Sequence, residues 1–354
     1  MTVYIVDLES IPTRYTGQWK NHVPALIKKH GHDVVVISGP DDLPKNTTPG
    51  MFLNFSATNI YKSVQVEKFS RLFSDGKIKD GDYFLFTDAW HPGIINLKYM
   101  ADLLGLKIKI GGCWHSGSYD PQDGLGRLIG DADWVRHAEK SFFHAIDHNY
   151  FATQFHIDMF VKNLLGHENY FSAMEKKKIV KTGWPMEYME ETLAPYQDVP
   201  KRDLILFPHR IAPEKQVEIF RDLAKALPQY EFIVCQDSEL SKHGYHSLLG
   251  QAKMVFSASL QETLGIGCYE GALVNAIPLV PDRLSYSEMY YDAFKYDSRW
   301  TLDYKMYEVY KPYLCAQIIQ LMTNYEKQLP QLRKQTEDLS KYFFNAHVLL
   351  ENIK

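Results

Sequence analysis

Two glutamates, Glu262 and Glu270, stand eight positions apart in the segment 256–281, which is the stretch best suited to chemistry. Gly265 and Gly267 between them allow a backbone bend that a β-carbon would obstruct. The segment predicts a strand, a turn and a helix, and the amides at a helix start lack intrahelical acceptors. These amides and the positive end of the helix dipole favour an anionic ligand such as a diphosphate.

Each position in this turn can be given a role. The amides of Thr263, Leu264 and Gly265 are predicted to contact the phosphates of a bound nucleotide. Glu262, which precedes the turn, can accept hydrogen bonds from sugar hydroxyls, and Glu270, inside the helix, can accept them from a ribose. One carboxylate on each side of a phosphate site suits a nucleotide sugar.

A second pair of charged residues lies upstream. Arg210 and Lys215 are five positions apart in the segment R-I-A-P-E-K, which follows the apolar strand 203–208 and leads into a helix. Both can point towards one ligand across a strand-to-helix turn. Their positive charges would stabilise a departing nucleotide diphosphate without a metal ion.

The stretch around Glu262 and Glu270 resembles the E-x7-E motif of retaining glycosyltransferases with the GT-B fold, the glycogen-synthase and sucrose-synthase-like group. Ser259 before the first glutamate and Glu-Gly-Ala at 270–272 extend the likeness. Asn275 stands where the family usually has a turn glycine, and asparagine tolerates the left-handed backbone region better than most residues.

The resemblance implies an activity. It implies transfer of a sugar, with retention of configuration and without a divalent ion, from a nucleotide-diphosphate donor, with a UDP-sugar favoured. Arg210 and Lys215 resemble the family's Arg-x-x-x-x-Lys element, which clamps the donor diphosphate. His115 resembles the family's histidine at the sugar-facing wall, and we predict no enzymatic nucleophile. The donor would bind the second domain and the acceptor the first.

Elements predicted in the first half support a parallel sheet. The strand Val3–Leu8, a helix and the strand at 33–38 form a βαβ unit, and Met51–Phe55 is predicted to be another strand. Asp88 and His115, like His91, follow predicted strands, and ligands in such sheets bind beyond the carboxyl ends of strands. Asp88 is therefore a candidate for binding the donor.

The predicted organisation is α/β with two Rossmann-like domains, whose parallel sheets would face each other across a cleft. Residues 1–185 form the acceptor-side domain and 186–200 the linker. Residues 201–328 form the nucleotide-sugar domain, and 329–354 a C-terminal helix that crosses back to the first domain. A chain of 354 residues is long enough for two cores.

Composition excludes some classes of protein. The 39 basic and 43 acidic residues give a net charge of −4, which excludes a broadly basic nucleic-acid binder. The four cysteines are scattered, which favours reduced thiols and a cytoplasmic setting. The N-terminus is predicted to be a strand rather than a signal peptide, and no apolar run approaches a membrane span. His144, His148 and His156 lack the spacing of a structural zinc site, so no metal is expected.

The acceptor and the reaction class stay open. The acceptor hydroxyl can belong to a saccharide, to a small molecule, or to a hydroxymethylated base in DNA, as with phage DNA-modifying glycosyltransferases. An enzyme of the last kind must reach a base outside the stack. Two alternatives are a non-catalytic protein that binds sugar nucleotides and a GT-B epimerase that acts on the donor alone. The sequence does not indicate an oligomeric state.

Overall fold

The computed structural model describes residues 1–11, 14–44, 53–166 and 173–354. They divide into two units, one comprising Met1–Pro185 with Ala346–Lys354 and the other Met186–Asn345. Each unit contains a parallel β-sheet with helices between successive strands. The predicted class, α/β with two Rossmann-like domains, is confirmed.

The first unit begins with a run of alternating strands and helices. In chain order its elements are β1 (Thr2–Val6), α1 (Tyr15–Lys29), β2 (Asp33–Ile37), α2 (Phe55–Ser74), β3 (Tyr83–Phe86), α3 (Gly93–Leu103), β4 (Lys109–Cys113), α4 (Gly124–Ile129), α5 (Asp133–Ala145), β5 (His148–Phe151), α6 (Gln154–Phe160), a π-helical turn (Val161–Leu165), α7 (Ala173–Lys178) and β6 (Ile179–Lys181). The strands form one parallel sheet in the order β2-β1-β3-β4-β5-β6. The central strands of the sheet are buried because helices cover parallel strands on both faces, whereas the edge strand β2 is largely exposed. Every side chain of β3 is therefore buried.

The second unit repeats this plan with five strands. Its elements are α8 (Tyr188–Leu193), a 3-10 turn (Ala194–Tyr196), β7 (Arg202–Phe207), a 3-10 turn (Pro213–Lys215), α9 (Val217–Ala226), β8 (Glu231–Val234), a 3-10 turn (Cys235–Asp237), α10 (Lys242–Gln251), β9 (Ala252–Phe256), α11 (Ile266–Leu273), β10 (Ile277–Pro281), α12 (Tyr286–Met289), a 3-10 turn (Asp292–Phe294), β11 (Lys295–Tyr296), a 3-10 turn (Ser298–Thr301), α13 (Tyr304–Thr323) and α14 (Tyr325–Tyr342). The strand order is β11-β10-β9-β7-β8, and all neighbours are parallel.

Both sheets reverse their strand order at one place. The first strand of each unit, β1 or β7, lies between the second and the third. The helices that follow the first and second strands therefore leave in opposite directions, and a crevice opens beyond the carboxyl ends of the first and third strands. Ligands of doubly wound sheets bind at such crevices, so each unit has one predictable binding position.

The predicted strand at Met51–Phe55 is wrong where the structure describes it. Leu53 and Asn54 lie outside any strand, Phe55 begins α2, and residues 51 and 52 lie outside the described residues. The Asn54 side chain accepts a hydrogen bond from the Ala57 amide at 3.1 Å and so caps the helix. A short apolar run fits a strand or a buried helix equally well.

Two predicted boundaries also differ from the structure. The segment predicted as a linker, 186–200, belongs to the second unit and contains α8. The last long helix begins at Tyr325, so Pro330 lies inside it, and it ends at Tyr342. A separate short helix, α15 (His347–Asn352), belongs to the first unit. A proline favours a first helical turn but does not require one.

The predicted backbone tolerance of Asn275 is confirmed. This residue has φ of 63°, in the left-handed region, where it ends the turn between α11 and β10. Among the described parts of the chain, no helix is both long enough and apolar enough to cross a membrane.

Candidate functional site

The carboxyl ends of β7 and β9 meet at the crevice of the second unit. The two strands are hydrogen-bonded neighbours, and they end at Phe207 and Phe256. The loop after β7 carries Arg210 and Lys215, and the loop after β9 carries Glu262. Residues far apart in sequence therefore lie at one edge of the sheet.

Lys215 and Glu262 are in direct contact. The Lys215 Nζ lies 3.2 Å from Glu262 Oε2 and also donates a hydrogen bond to the Gln261 carbonyl. Burial by itself would raise the pKa of Glu262, but the charge of Lys215 and the hydrogen bonds of the carboxylate hold that pKa below its usual value. The carboxylate is therefore ionised at neutral pH, beside a cation that is almost completely buried.

The turn after Glu262 is held by a glycine in a conformation that other residues avoid. Gly265 has φ of 76° and caps α11, and its carbonyl accepts hydrogen bonds from the amides of Cys268 and Tyr269. A β-carbon on Gly265 would lie 2.6 Å from a ring carbon of Tyr286. Both the backbone angle and the space therefore require glycine here.

Thr263 and Leu264 precede α11 rather than forming its first turn. The Thr263 amide donates to Glu262 Oε1 at 3.2 Å, and the Leu264 side chain is buried. The amide of Gly265 also donates to the Glu262 carboxylate, which contributes to its lowered pKa. Two of the three amides predicted to contact phosphate, those of Thr263 and Gly265, are thus directed at an anionic group, which in this structure is the side chain of Glu262.

Glu270 lies in α11 and contacts a tyrosine of the neighbouring helix. The Tyr245 hydroxyl, on α10, donates to Glu270 Oε2 at 2.8 Å. Burial raises the pKa of Glu270, and the hydrogen bond from Tyr245 and the charge of Lys242 offset this effect only in part. Glu270 therefore differs from Glu262, because among the described residues no cation forms an ion pair with it and the charge of Lys242 acts without direct contact.

Arg210 pairs with a carboxylate that the sequence analysis did not single out. Its guanidinium donates to Glu214, whose side chain is fully buried, whereas the Arg210 side chain is 34 % exposed. The Glu214 carbonyl also accepts from the Leu260 amide at 2.7 Å, which joins the loop after β7 to the loop after β9. The spacing of Arg210 and Glu214, four residues apart, was the available signal.

The first unit has a cavity of about 630 Å³ at its own crevice, and Asp88 and His115 both line it. Asp88 accepts a hydrogen bond from Lys62 Nζ at 2.9 Å. Burial alone would raise the pKa of Asp88, but the charge and hydrogen bond of Lys62, together with the nearby ring of His115, hold that pKa below its usual value. The sequence analysis missed Lys62, which lies on α2.

Both ring nitrogens of His115 form hydrogen bonds within the protein. Nε2 donates to the Thr87 carbonyl at 2.6 Å, which leaves Nδ1 to accept from the Tyr15 hydroxyl at 2.9 Å. Burial lowers the pKa of His115 below its usual value. His91 also lines this cavity, but it is 2 % exposed and hydrogen-bonded to Gln65, as is typical of a core histidine.

The structure therefore brings some of the predicted site residues into contact but not all of them. Lys215 and Glu262 touch, Arg210 and Glu270 are each held by another neighbour, and Asp88 and His115 lie in the first unit. In the described part of the chain, no cluster of three or more histidine, cysteine or acidic side chains is arranged to hold a metal ion.

The fold is that of the GT-B glycosyltransferases. The catalytic domain of starch synthase IV from Arabidopsis thaliana, bound to ADP and acarbose, matches with a TM-score of 0.60 at 11 % identity, over 99 % of this chain and 97 % of that one. Sucrose-phosphate synthase from Thermosynechococcus elongatus matches with a TM-score of 0.61 at 11 % identity, over 99 % and 96 %.

A third neighbour is HepE from Anabaena in complex with UDP and glucose, with a TM-score of 0.52 at 9 % identity, over 99 % of this chain and 97 % of that one. No protein-family model matches the chain, and no curated protein resembles it significantly in sequence. At these identities the similarity establishes the fold.

Proposed function

We propose that the protein is a retaining glycosyltransferase that moves a sugar from a nucleotide-diphosphate donor to an acceptor hydroxyl. The observation that carries the proposal is the contact between Lys215 and Glu262, at the crevice of the second unit and beside the turn at Gly265. It supports a site where a cation, a carboxylate and backbone amides face one ligand.

The donor is proposed to bind at this crevice. Its diphosphate would take the place of the Glu262 carboxylate next to Lys215 and the turn amides, with Arg210 as a second cation. Glu262 would then accept hydrogen bonds from the sugar, and Glu270 from the ribose. The neighbours that were solved with ADP or UDP favour a nucleoside diphosphate, and a UDP-sugar is our first choice.

The chemistry proposed is electrostatic. Positive charge from Lys215 and Arg210 stabilises the diphosphate as its bond to the sugar breaks, without a metal ion. The acceptor oxygen forms the new bond to the sugar carbon as the bond to the diphosphate breaks, and a phosphate oxygen of the donor accepts the proton of that hydroxyl. No side chain acts as the nucleophile or as the base. The acceptor is proposed to bind in the first unit, while Asp88, which lines its cavity, keeps its predicted role in binding the donor and His115 its place at the sugar-facing wall.

The first experiment is a screen of UDP-, ADP- and GDP-sugars for thermal stabilisation of the protein. It is followed by product analysis with saccharides, small hydroxyl compounds and hydroxymethylated DNA. Conversion of the donor alone would instead indicate an epimerase, and binding without any product a non-catalytic role. Binding of DNA should also weaken steeply with salt if DNA is the acceptor.

Two variants then test the site. Lys215→Ala and Glu262→Gln should each lower turnover by well over tenfold, because each removes charge beside the reacting bond. Lys253→Ala is the matched control, since Lys253 forms a similar pair with Asp203, at 2.7 Å, near the opposite edge of the same sheet. Turnover close to wild type in either site variant refutes the assignment.

A further inference from the structure

His209 lies in the loop after β7, beside the crevice of the second unit, yet the proposed mechanism does not use it. It follows β7 by two residues, immediately before Arg210, and is 7 % exposed. The carbonyl of Phe256, the last residue of β9, accepts a hydrogen bond from its ring. The imidazole therefore spans the ends of the two strands that define the crevice.

One nitrogen of this ring is left without a hydrogen bond. Nε2 is buried and has no hydrogen-bond partner among the protein groups that the structure describes. Because the ring donates to the Phe256 carbonyl through Nδ1, the neutral imidazole presents Nε2 as an acceptor. A buried polar atom without a partner is costly, which points to a ligand that supplies the missing donor.

The surroundings of His209 restrict that ligand. Lys215 and Glu262 are the charged groups that act most strongly on the ring, so the imidazole lies close to their contact. Burial and the charge of Lys215 lower the pKa of His209 to about 3, which keeps the ring neutral at physiological pH. Phosphate oxygens carry no proton to donate at that pH, whereas sugar hydroxyls do.

We propose that His209 Nε2 accepts a hydrogen bond from a hydroxyl of the donor sugar, which makes His209 a residue that determines donor specificity. The inference rests on the proposed function, because it assumes that a nucleotide sugar binds at this crevice. A site that hydrogen-bonds a substrate hydroxyl rejects analogues that lack it, since its own polar atom is then left unpaired.

The test compares nucleotide sugars that differ at one hydroxyl. The parent is whichever of UDP-, ADP- or GDP-glucose stabilises the wild-type protein most, and its analogues carry fluorine in place of the 2-, 3-, 4- or 6-hydroxyl. Fluorine keeps the size of the group but donates no hydrogen bond. Wild type should bind one analogue about 5- to 150-fold more weakly than the parent, the effect expected for one unpaired buried acceptor.

Two variants of His209 distinguish the roles of its two ring nitrogens. His209→Asn places an amide nitrogen near Nδ1 and so retains the hydrogen bond to Phe256, but it has no group at Nε2. His209→Gln places a carbonyl oxygen near Nε2. The discrimination against the fluorinated analogue should disappear in His209→Asn and persist in His209→Gln, and both variants should bind the free nucleoside diphosphate within about twofold of wild type.

The possible failures are distinguishable. If wild type binds no nucleotide sugar, the proposed function is wrong and this inference falls with it. If wild type binds the parent but discrimination is absent, or persists in His209→Asn, only the role of His209 is wrong. A parallel loss of affinity for the free nucleoside diphosphate in His209→Asn would also overturn it, because that loss indicates a structural or diphosphate-binding role. Unfolding curves of both variants control for the fold.

Discussion

At the scale of single residues, Arg210 and Glu214 have to be considered together. Glu214 is fully buried, and the guanidinium that neutralises it is the one proposed to contact the donor diphosphate. Arg210 therefore stabilises the buried carboxylate of Glu214 and is also proposed to bind the donor diphosphate. Replacing Arg210 should lower stability, because Glu214 loses its partner, and should lower turnover, because the diphosphate loses a cation. A double mutant that also changes Glu214 distinguishes the two effects.

We expect Arg210→Met to lower the free energy of unfolding by about 1–3 kcal/mol, because the Glu214 carboxylate loses its ion-pair partner in a buried position. Adding Glu214→Gln should recover most of this loss, since the amide carries no charge. Turnover should stay low in both proteins. The measurements are urea denaturation and initial rates. Equal stability of the single and the double variant would contradict the structural role given to Glu214.

At the scale of elements, the turn between β9 and α11 fixes the orientation of the site. Glu262 precedes the turn, Gly265 caps the helix, and Glu270 lies within the helix on the side of Tyr245. The backbone of this segment determines where both carboxylates lie. The conformation of this segment depends on Gly265, which has no side chain and lies next to the buried ring of Tyr286.

We expect Gly265→Ala to destabilise the second unit by about 2–4 kcal/mol, from the strain of a positive φ together with a contact of 2.6 Å to Tyr286. Gly76→Ala is the control. Gly76 has φ of 65°, but a β-carbon there meets no atom within 4 Å, so only the backbone strain of about 1–2 kcal/mol remains. Unfolding in urea measures both. A Gly265→Ala variant no less stable than Gly76→Ala would show that Tyr286 moves aside freely.

At the scale of the whole molecule, buried histidines make stability depend on pH. Burial lowers the pKa of His91, His156 and His209 to about 3 in each case, whereas an unfolded chain binds these protons near pH 6.5. As the pH falls below 6.5, the unfolded chain takes up protons that the folded protein does not. The stability contributed by the neutral rings is present above pH 6.5 and is lost as the pH falls towards 3.

We therefore expect the free energy of unfolding to be about 2–4 kcal/mol lower at pH 5 than at pH 7. Each of the three rings contributes up to about 2 kcal/mol over this interval. Asp7, Glu139 and Glu270, whose pKa values burial raises, oppose the trend in part. Urea denaturation at both pH values is the measurement, and equal or greater stability at pH 5 would contradict the prediction.

A single variant checks which groups are responsible. His156→Gln can preserve the hydrogen bond between this position and the Tyr119 hydroxyl, which lies 2.7 Å from His156 Nε2, but it does not titrate. The loss of stability between pH 7 and pH 5 should become smaller by up to about 2 kcal/mol in this variant. An unchanged loss would assign the effect to other groups.

Much of the fold could be predicted because its signals are local. Alternating strands and helices indicate a parallel sheet wherever they occur, and Gly265 and Asn275 mark the turns that need a left-handed backbone. The strand predicted at Met51–Phe55 failed for a physical reason. A short apolar run shows neither the periodicity of a strand nor that of a helix, and Asn54 caps the helix that begins at Phe55.

The sequence by itself determined the two-unit α/β class and the candidate residues after the strands, since both follow from local periodicity and residue type. Only the tertiary structure decided the partners of those residues. It joined Lys215 to Glu262, placed the buried Glu214 against Arg210, and left Nε2 of His209 without a hydrogen-bond partner among the described residues. The reason is that the strand order, with β7 between β8 and β9, brings distant loops to one edge of a sheet, and sequence spacing does not encode that order.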